Sequence, residues 1–219
     1  SNIKVHFVYN GGPEGIALDL AGAEYRLFSC YDYIKSKKPG DNMVNGSENV
    51  VTIKQDCLSK RHVIQDSGLF TMMFGSGKGN KVDFKAISDW QDKLAQFVQQ
   101  NELEATIVEC DAQKLVGPEL AWELRHRLKH QLPYHRIINV FHLEDGKDGL
   151  DRLIDYSEYI AISVPELRIA RGSAYKKDTH HLAKYIKSRK PSIDIHLLGC
   201  TEPKMLRENR FCTSSDSSS

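Results

Sequence analysis

Short apolar runs alternate with polar or amphipathic segments along almost the whole chain, and no other feature restricts the fold so strongly. Eight of these runs have the length and composition of β-strands, and they cover residues 4–9, 26–31, 62–65, 105–110, 136–141, 159–164, 193–198 and 211–215. Strands separated by helical segments form parallel sheets, because the chain must return to the starting end of the sheet before the next parallel strand can begin. A helix provides the long crossover that this return needs. The pattern therefore predicts a (β/α)₈ barrel without a closing helix after its last strand. An open, doubly wound sheet is the alternative.

The segments between the strands carry helical signals of different strength. Asp83 is placed to cap a helix whose apolar residues recur on one face, and Pro118 is placed to open another. Further helices are expected at residues 150–155, at the basic residues 178–189 and near Pro203. Residues 35–58 lack a clear pattern and are expected to include an irregular loop.

Length and charge limit the class of protein. The 219 residues are 40% hydrophobic and 27% charged, which is typical of a globular protein, and we expect a single domain over residues 1–219. The net charge is only +1, so a nucleic-acid site must be a local patch. No apolar run approaches the length of a membrane span, and no membrane partner is expected.

Cysteine usage indicates reduced thiols. The five cysteines are odd in number, widely spaced and without a CxxC pair. This pattern favours a cytoplasmic protein and gives no support to a disulfide framework or a structural zinc site. We expect neither a metal nor another cofactor.

Three carboxylates follow predicted strands, at the ends where barrel enzymes carry their chemistry. They are Asp66, Asp111 and Asp216. A single aspartate at such a place usually caps a helix or closes a turn. Gathering several like charges in one cleft is unfavourable unless the site is used, so the set predicts an active site. Two acids at the ends of distant strands, such as Asp66 and Asp216, are what a barrel enzyme needs to bring a nucleophile and a proton carrier to one substrate. Other strand ends carry His142, Ser163 and Gly199.

One motif resembles a known family. The sequence Asp66-Ser-Gly-Leu-Phe70 is similar to the Asp-Ser-Gly-Gly-Phe signature of tRNA-guanine transglycosylases, the queuine tRNA-ribosyltransferase superfamily. Asp216 falls where that family keeps its nucleophilic aspartate, on the eighth strand. The resemblance covers nearly the whole chain in order, although only the first motif is specific, and it is nearest to the phage and bacterial branch that inserts 7-deazaguanines into DNA. Intermediate strand ends that follow the family's order are 108–111, 138–142, 159–163 and 197–203.

The resemblance implies a base exchange in a polynucleotide. Asp216 would attack C1′ of a nucleotide and form a covalent intermediate, and Asp66 would carry protons to and from the exchanged bases. Asp111 would accept hydrogen bonds from the base. The rest of the implied substrate-binding set is Ser67, Gly68, Phe70, His142, Ser163 and Gly199.

The sequence also departs from the family. Members that act on tRNA carry a Cys-rich zinc site after the nucleophile, and this sequence has no such motif, which favours DNA over tRNA as the partner. The family's glycine pair at the end of the sixth strand is replaced by Ser163-Val164. That replacement leaves the identity of the inserted deazapurine open.

Nucleic-acid binding has its own sequence signal in two basic clusters, at residues 125–130 and 176–190. The first is better interpreted as the solvated face of a helix. The glycine-rich stretch 75–80 is expected to be a flexible loop, and it lacks the spacing of a Walker A phosphate loop. Two other classes remain open, a catalytically silent barrel that binds nucleic acid and an unrelated barrel enzyme with paired carboxylates.

Overall fold

Strands occur in the chain at all eight places that the alternation predicts. The structure, a computed structural model, describes residues 2–10, 12–43, 48–59, 62–75 and 82–217. The strands are β1 (Lys4–Val8), β2 (Arg26–Ser29), β3 (Val63–Asp66), β4 (Thr106–Val108), β5 (Ile137–Phe141), β6 (Tyr159–Ser163), β7 (Asp194–Leu198) and β8 (Ser214–Asp216). Their order is that of a closed barrel, from β1 to β8 in sequence. The (β/α)₈ prediction is therefore confirmed, and the open sheet is not observed.

Helices fill the connections between the strands. They are α1 (Gly12–Leu20), α2 (Tyr31–Ile34), α3 (Glu48–Leu58), α4 (Leu69–Phe74), α5 (Phe84–Gln100), α6 (Gln113–Gln131), α7 (Gly146–Tyr156), α8 (Val164–Arg171), α9 (Tyr175–Arg189) and α10 (Pro203–Glu208). Short 3₁₀ turns precede α7 and α9. Within the described ranges, every helix is too short or too polar to cross a lipid bilayer.

Two sequence predictions about helices need comment. The Asp83 side chain caps α5 as predicted, since it accepts a hydrogen bond of 2.9 Å from the Ala86 N–H. Residues 35–43 form no helix or strand, as the expected irregular loop requires, but the sequence pattern did not predict α3, which forms in the second half of the range 35–58. Val50, Ile53 and Cys57 are buried along one side of that helix. Burial of this apolar stripe stabilises the helix, whereas the polar residues between them contribute little. The predicted loop at 75–80 lies, after Gly75, outside the described residues.

The chain divides into two compact units. One, the terminal unit, comprises residues 1–8 and 136–219, and the other, the central unit, comprises Tyr9–His135. The terminal unit contains β1 and β5 to β8, and the central unit contains β2 to β4. The expectation of a single domain over residues 1–219 stays a prediction.

In the terminal unit, parallel register separates an apolar face of the sheet from a polar one. Ile160 pairs with Ile195, and Ile162 with Leu197, so these residues share one face and are almost completely buried. His196 pairs with Ser214, and His6 with Asp216, which places these side chains on the other face. Because side chains alternate along a strand, the barrel face of this unit is unusually polar.

In the central unit, buried ion pairs join helices to strands. The Arg125 guanidinium of α6 donates two hydrogen bonds to the Glu109 carboxylate, at 2.8 and 3.0 Å, and both side chains are only 4% exposed. The guanidinium also lies 4.3 Å from the centre of the Trp122 ring. This geometry satisfies a charge that could not otherwise be buried.

We expect Arg125→Gln to destabilise the protein by about 3–5 kcal/mol, because it leaves the Glu109 carboxylate buried without its cation. The free energy of unfolding, measured by urea titration, checks this value. Arg127→Gln on the same helix is the control. Its partner Asp92 and its own guanidinium are partly exposed, so we expect a loss of no more than about 1 kcal/mol. Equal losses in the two variants would contradict the assignment.

Candidate active site

Asp216 is held through both oxygens of its carboxylate. It is the last residue of β8 and is 6% exposed. Its Oδ2 lies 2.7 Å from Nε2 of His196, and its Oδ1 accepts a hydrogen bond of 2.9 Å from the Gly199 N–H. Gly199 has a φ of 66°, a left-handed conformation that favours glycine, and this turn directs its N–H towards the carboxylate. The predicted nucleophile is therefore fixed in one orientation.

A relay of buried polar groups continues from Asp216 into the barrel. Nδ1 of His196 lies 2.6 Å from the Ser214 Oγ, and Ser214 Oγ is hydrogen-bonded to the Tyr159 hydroxyl. Burial, first of all, raises the pKa of Tyr159 well above its usual value, so its hydroxyl stays a donor. Donation from Tyr159 to Ser214, from Ser214 to His196 and from His196 to Asp216 satisfies every group with a neutral imidazole.

A second histidine lies beside this relay. The His6 ring packs edge-on against the His196 ring, with 6.2 Å between the ring centres. Its Nδ1 lies 2.8 Å from the Lys4 carbonyl oxygen and 3.2 Å from that of Ser215. A ring nitrogen between two carbonyls must donate, so Nδ1 of His6 carries a hydrogen. His6 therefore holds β1 against β8 at the level of Asp216.

In the central unit, the Asp66-Ser67-Gly68 motif forms a tight turn at the end of β3. The Asp66 Oδ2 accepts a hydrogen bond of 3.3 Å from the Gly68 N–H, and the Ser67 Oγ accepts one of 3.2 Å from the Leu69 N–H. Trp90 donates from its indole N–H to the Ser67 carbonyl at 2.8 Å. The turn thus fixes the direction of the Asp66 carboxylate while its polar groups remain satisfied.

Gly68 cannot be replaced without strain. Its φ of 70° is left-handed, and a Cβ at this position would lie 2.9 Å from the Cβ of Tyr31. The glycine of the motif is therefore explained by the backbone of the turn. Its predicted contact with substrate is a separate matter and stays a prediction.

The two other predicted residues of the central unit are Asp111, which follows β4, and Phe70, which lies in α4. Burial raises the pKa of the Cys110 thiol, and the charges of Glu109, Asp66 and Asp111 add to the rise, which shows that Asp66 and Asp111 act on the same thiol. Phe70 follows in α4, where its ring is 72% exposed and lies 5.0 Å from that of Phe74. In the central unit, the charges of two predicted carboxylates thus act on one thiol, and the Phe70 ring is exposed.

Ser163 and His142 have clear structural contacts in the terminal unit. The Ser163 Oγ caps α8 by accepting a hydrogen bond of 3.3 Å from the Glu166 N–H. Nδ1 of His142 lies 3.2 Å from Oε2 of Glu166, and His142 is 5% exposed. These contacts hold the ends of β5 and β6 in place. The predicted contacts of both residues with a base stay predictions.

Four residues around the site were missed from the sequence. Glu166 could have been found, because Ser163 and Glu166 have the spacing of a capping box. His196 also carried a signal, since Asp194 and His196 stand at alternate positions in an otherwise apolar strand. Ser214 and Tyr159 carried none, because a serine or a tyrosine in a strand is ordinary. Among the described residues, no group of three or more His, Cys, Asp or Glu side chains could hold a metal ion.

Comparisons with known proteins show the fold alone. No protein-family model matches the sequence, and the curated proteins give no match. A solved structure of a psychrophilic glycoside hydrolase family 10 endo-β-1,4-xylanase is similar, with a TM-score of 0.55, 12% identity and coverage of 99% of this chain and 86% of that one. An aldolase, QR15, has a TM-score of 0.51, 11% identity and coverage of 98% and 90%. The class is therefore the (β/α)₈ barrel.

We expect Gly68→Ala to destabilise the protein by about 1–2 kcal/mol from its left-handed φ, and by about 1 kcal/mol or more in addition from the contact with Tyr31. Gly22→Ala separates the two effects, because Gly22 has a φ of 72° with no atom within 4 Å of the added Cβ. Thermal and urea unfolding of both variants measure the difference. A loss in Gly68→Ala no larger than that in Gly22→Ala would show that the contact with Tyr31 relaxes freely.

We expect His196 to be the neutral tautomer that carries its hydrogen on Nε2. Long-range ¹H–¹⁵N NMR of histidine-labelled protein distinguishes the two ring nitrogens, and the His196 signals are assigned by their loss in His196→Gln. Ser214→Ala removes the donor to Nδ1 and is expected to shift the His196 nitrogen signals. A wild-type spectrum with the hydrogen on Nδ1 alone would overturn the relay.

Proposed function

We propose that the protein is a base-exchange transglycosylase that replaces guanine in a polynucleotide, DNA in preference to tRNA, with a 7-deazaguanine derivative. The environment of Asp216 is the observation that carries this proposal. A carboxylate at the end of a barrel strand accepts two N–H bonds, from His196 and Gly199. A carboxylate can accept both, whereas the NH₂ group of an amide can only donate and would face one of the two donors. These two contacts hold the carboxylate in one direction, which supports its proposed role as the nucleophile.

The reaction has two halves in this proposal. A guanine is first turned out of the stack, since C1′ cannot be reached inside a duplex. An Asp216 oxygen then bonds to C1′ while the bond from C1′ to the base nitrogen breaks, and guanine leaves with a proton from Asp66. The incoming deazaguanine gives its ring N–H proton back to Asp66, its nitrogen bonds to C1′, and the ester with Asp216 breaks. Splitting the displacement in this way lowers each barrier.

The other assignments follow the resemblance. The exposed Phe70 ring would stack on a base, and Asp111, whose charge acts on the same thiol as that of Asp66, would accept hydrogen bonds from guanine. Proton transfer by Asp66 is supported by the turn that directs its carboxylate. We assign no cofactor, because the chemistry needs only carboxylates.

Incorporation of radiolabelled guanine into DNA and into tRNA tests the proposal. We expect exchange with wild-type protein, a loss of at least about a thousandfold in Asp216→Asn, and a loss of about a hundredfold to ten-thousandfold in Asp66→Asn. Asp148→Asn, at an exposed aspartate in the first turn of α7, is the matched control and should exchange normally.

Two outcomes would contradict the proposal at different levels. Exchange with neither polymer would exclude the transglycosylase function. Exchange that survives in Asp216→Asn would exclude a covalent intermediate on Asp216, but the transglycosylase function itself would still be supported. A denaturing gel adds direct evidence, because an intermediate on Asp216 joins labelled DNA to the protein in a band that Asp216→Asn cannot form.

A further inference from the structure

Positive charge is concentrated in one part of the terminal unit. Residues 164–210 contain 11 Lys and Arg against 5 Asp and Glu, whereas the rest of the chain contains 19 against 24. A chain with almost no net charge therefore has a strongly basic segment. Such asymmetry is typical of a surface that binds a polyanion.

Four of these basic residues lie together where α8 passes into α9. Arg168 and Arg171 lie in the second half of α8, Lys176 and Lys177 lie in the first turn of α9, and all four are exposed. We call this set the basic rim. Because α8 begins directly after β6, the basic rim belongs to the end of the strands that carries Asp216.

Contacts connect the basic rim to the loop that holds Asp216. Lys176 Nζ lies 2.8 Å from Oε1 of Glu202, three residues beyond Gly199, whose N–H binds the Asp216 carboxylate. Burial raises the pKa of the intervening Cys200 thiol, and the charge of Asp216 adds to the rise while that of Arg168 opposes it. Arg168 and Asp216 therefore both act on one thiol.

Half of the basic rim lacks an acidic partner within the part of the chain that the structure describes. Arg171 is paired with Asp178 at 2.7 Å and Lys176 with Glu202 at 2.8 Å. Arg168 and Lys177 make no such pair, and the Arg168 guanidinium instead lies 5.0 Å from the centre of the Tyr175 ring. A guanidinium held over a ring with its N–H edge unused is suited to the paired oxygens of a phosphate.

We propose that the basic rim binds the phosphates of the polynucleotide on the side of the exchanged nucleotide, with Arg168 and Lys177 as the contacting residues. This inference rests on the proposed function, because a polynucleotide whose base is exchanged at Asp216 must present its backbone to the neighbouring surface. Contacts of this kind position the strand without reading its sequence.

Fluorescence anisotropy with a labelled, guanine-containing DNA strand tests the basic rim. We expect the double variant Arg168→Gln/Lys177→Gln to bind at least about fivefold more weakly at low salt, and its plot of log affinity against log salt to be shallower by about 1 to 2. The matched control is Lys184→Gln/Arg210→Gln. It removes two exposed charges near Phe211, which precedes β8 and lies towards the other end of the strands.

The control is expected to bind within about twofold of wild type. An equal loss of DNA affinity in both double variants would mean that affinity depends only on the net charge of the protein. No loss of affinity in either variant would mean that the DNA strand binds elsewhere. Either result overturns the proposal. Circular dichroism before and after heating verifies that both variants are folded, as expected for exposed side chains.

Exchange kinetics separate this inference from the proposed function. If wild-type protein exchanges guanine, the rim variant should raise the KM for DNA by about fivefold or more and leave kcat unchanged. A different result separates the two proposals. If the wild-type protein exchanges no base, but DNA affinity falls in the rim variant and not in the control variant, the transglycosylase function is excluded and DNA binding by the basic rim is supported. Normal KM and normal affinity in the rim variant would exclude the basic rim while the exchange activity stands.

Discussion

The terminal unit depends on one arrangement, the Asp216 carboxylate held between the His196 imidazole and the Gly199 N–H. Both donors come from β7 and the turn after it, so the carboxylate is correctly placed only when β7 and β8 pair in one register. A slip of one residue would turn the polar side chain of the strand that moves, His196 or Ser214, to the apolar face and leave its polar atoms among aliphatic side chains. Burial of this network therefore specifies the pairing of the strands as well as the direction of the carboxylate.

Such a polar barrel interior is stable only if it is complete. A buried imidazole or hydroxyl without a partner costs about 1–3 kcal/mol, and an incomplete network is worse than an apolar core. Here the relay begins at a donor, the Tyr159 hydroxyl, and ends at an acceptor, the Asp216 carboxylate. The His196 imidazole links these two ends of the relay. The network thus joins the pairing of the strands to the direction of the Asp216 carboxylate.

The fold could be predicted because alternation of strands and helices is a property of local sequence, averaged over many residues. The candidate site was only partly predictable, for a physical reason. Asp66 and Asp216 stand at the ends of predicted strands, where barrel enzymes carry their chemistry, but His196 lies inside an apolar run and its role depends on which neighbour it faces. That neighbour, Ser214, is set by register between segments 18 residues apart. α3 was missed because Val50, Ile53 and Cys57 form only a narrow apolar stripe among polar residues. Only the folded structure shows that burial of this stripe is enough to stabilise the helix.

The segment from Gly199 to Glu202 gives the site a further property. At one end its backbone N–H holds the Asp216 carboxylate, and at the other end the Glu202 side chain is paired with Lys176 of the basic rim. If a phosphate bound by Arg168 and Lys177 also weakened the neighbouring pair of Lys176 with Glu202, it would release one constraint on this segment, and therefore on the N–H that orients the Asp216 carboxylate. Since the pair is roughly 40% exposed, its own energy is small, about 1 kcal/mol or less. If a strand binds as proposed, the coupling would therefore be a small adjustment of the carboxylate's direction rather than a switch between two states.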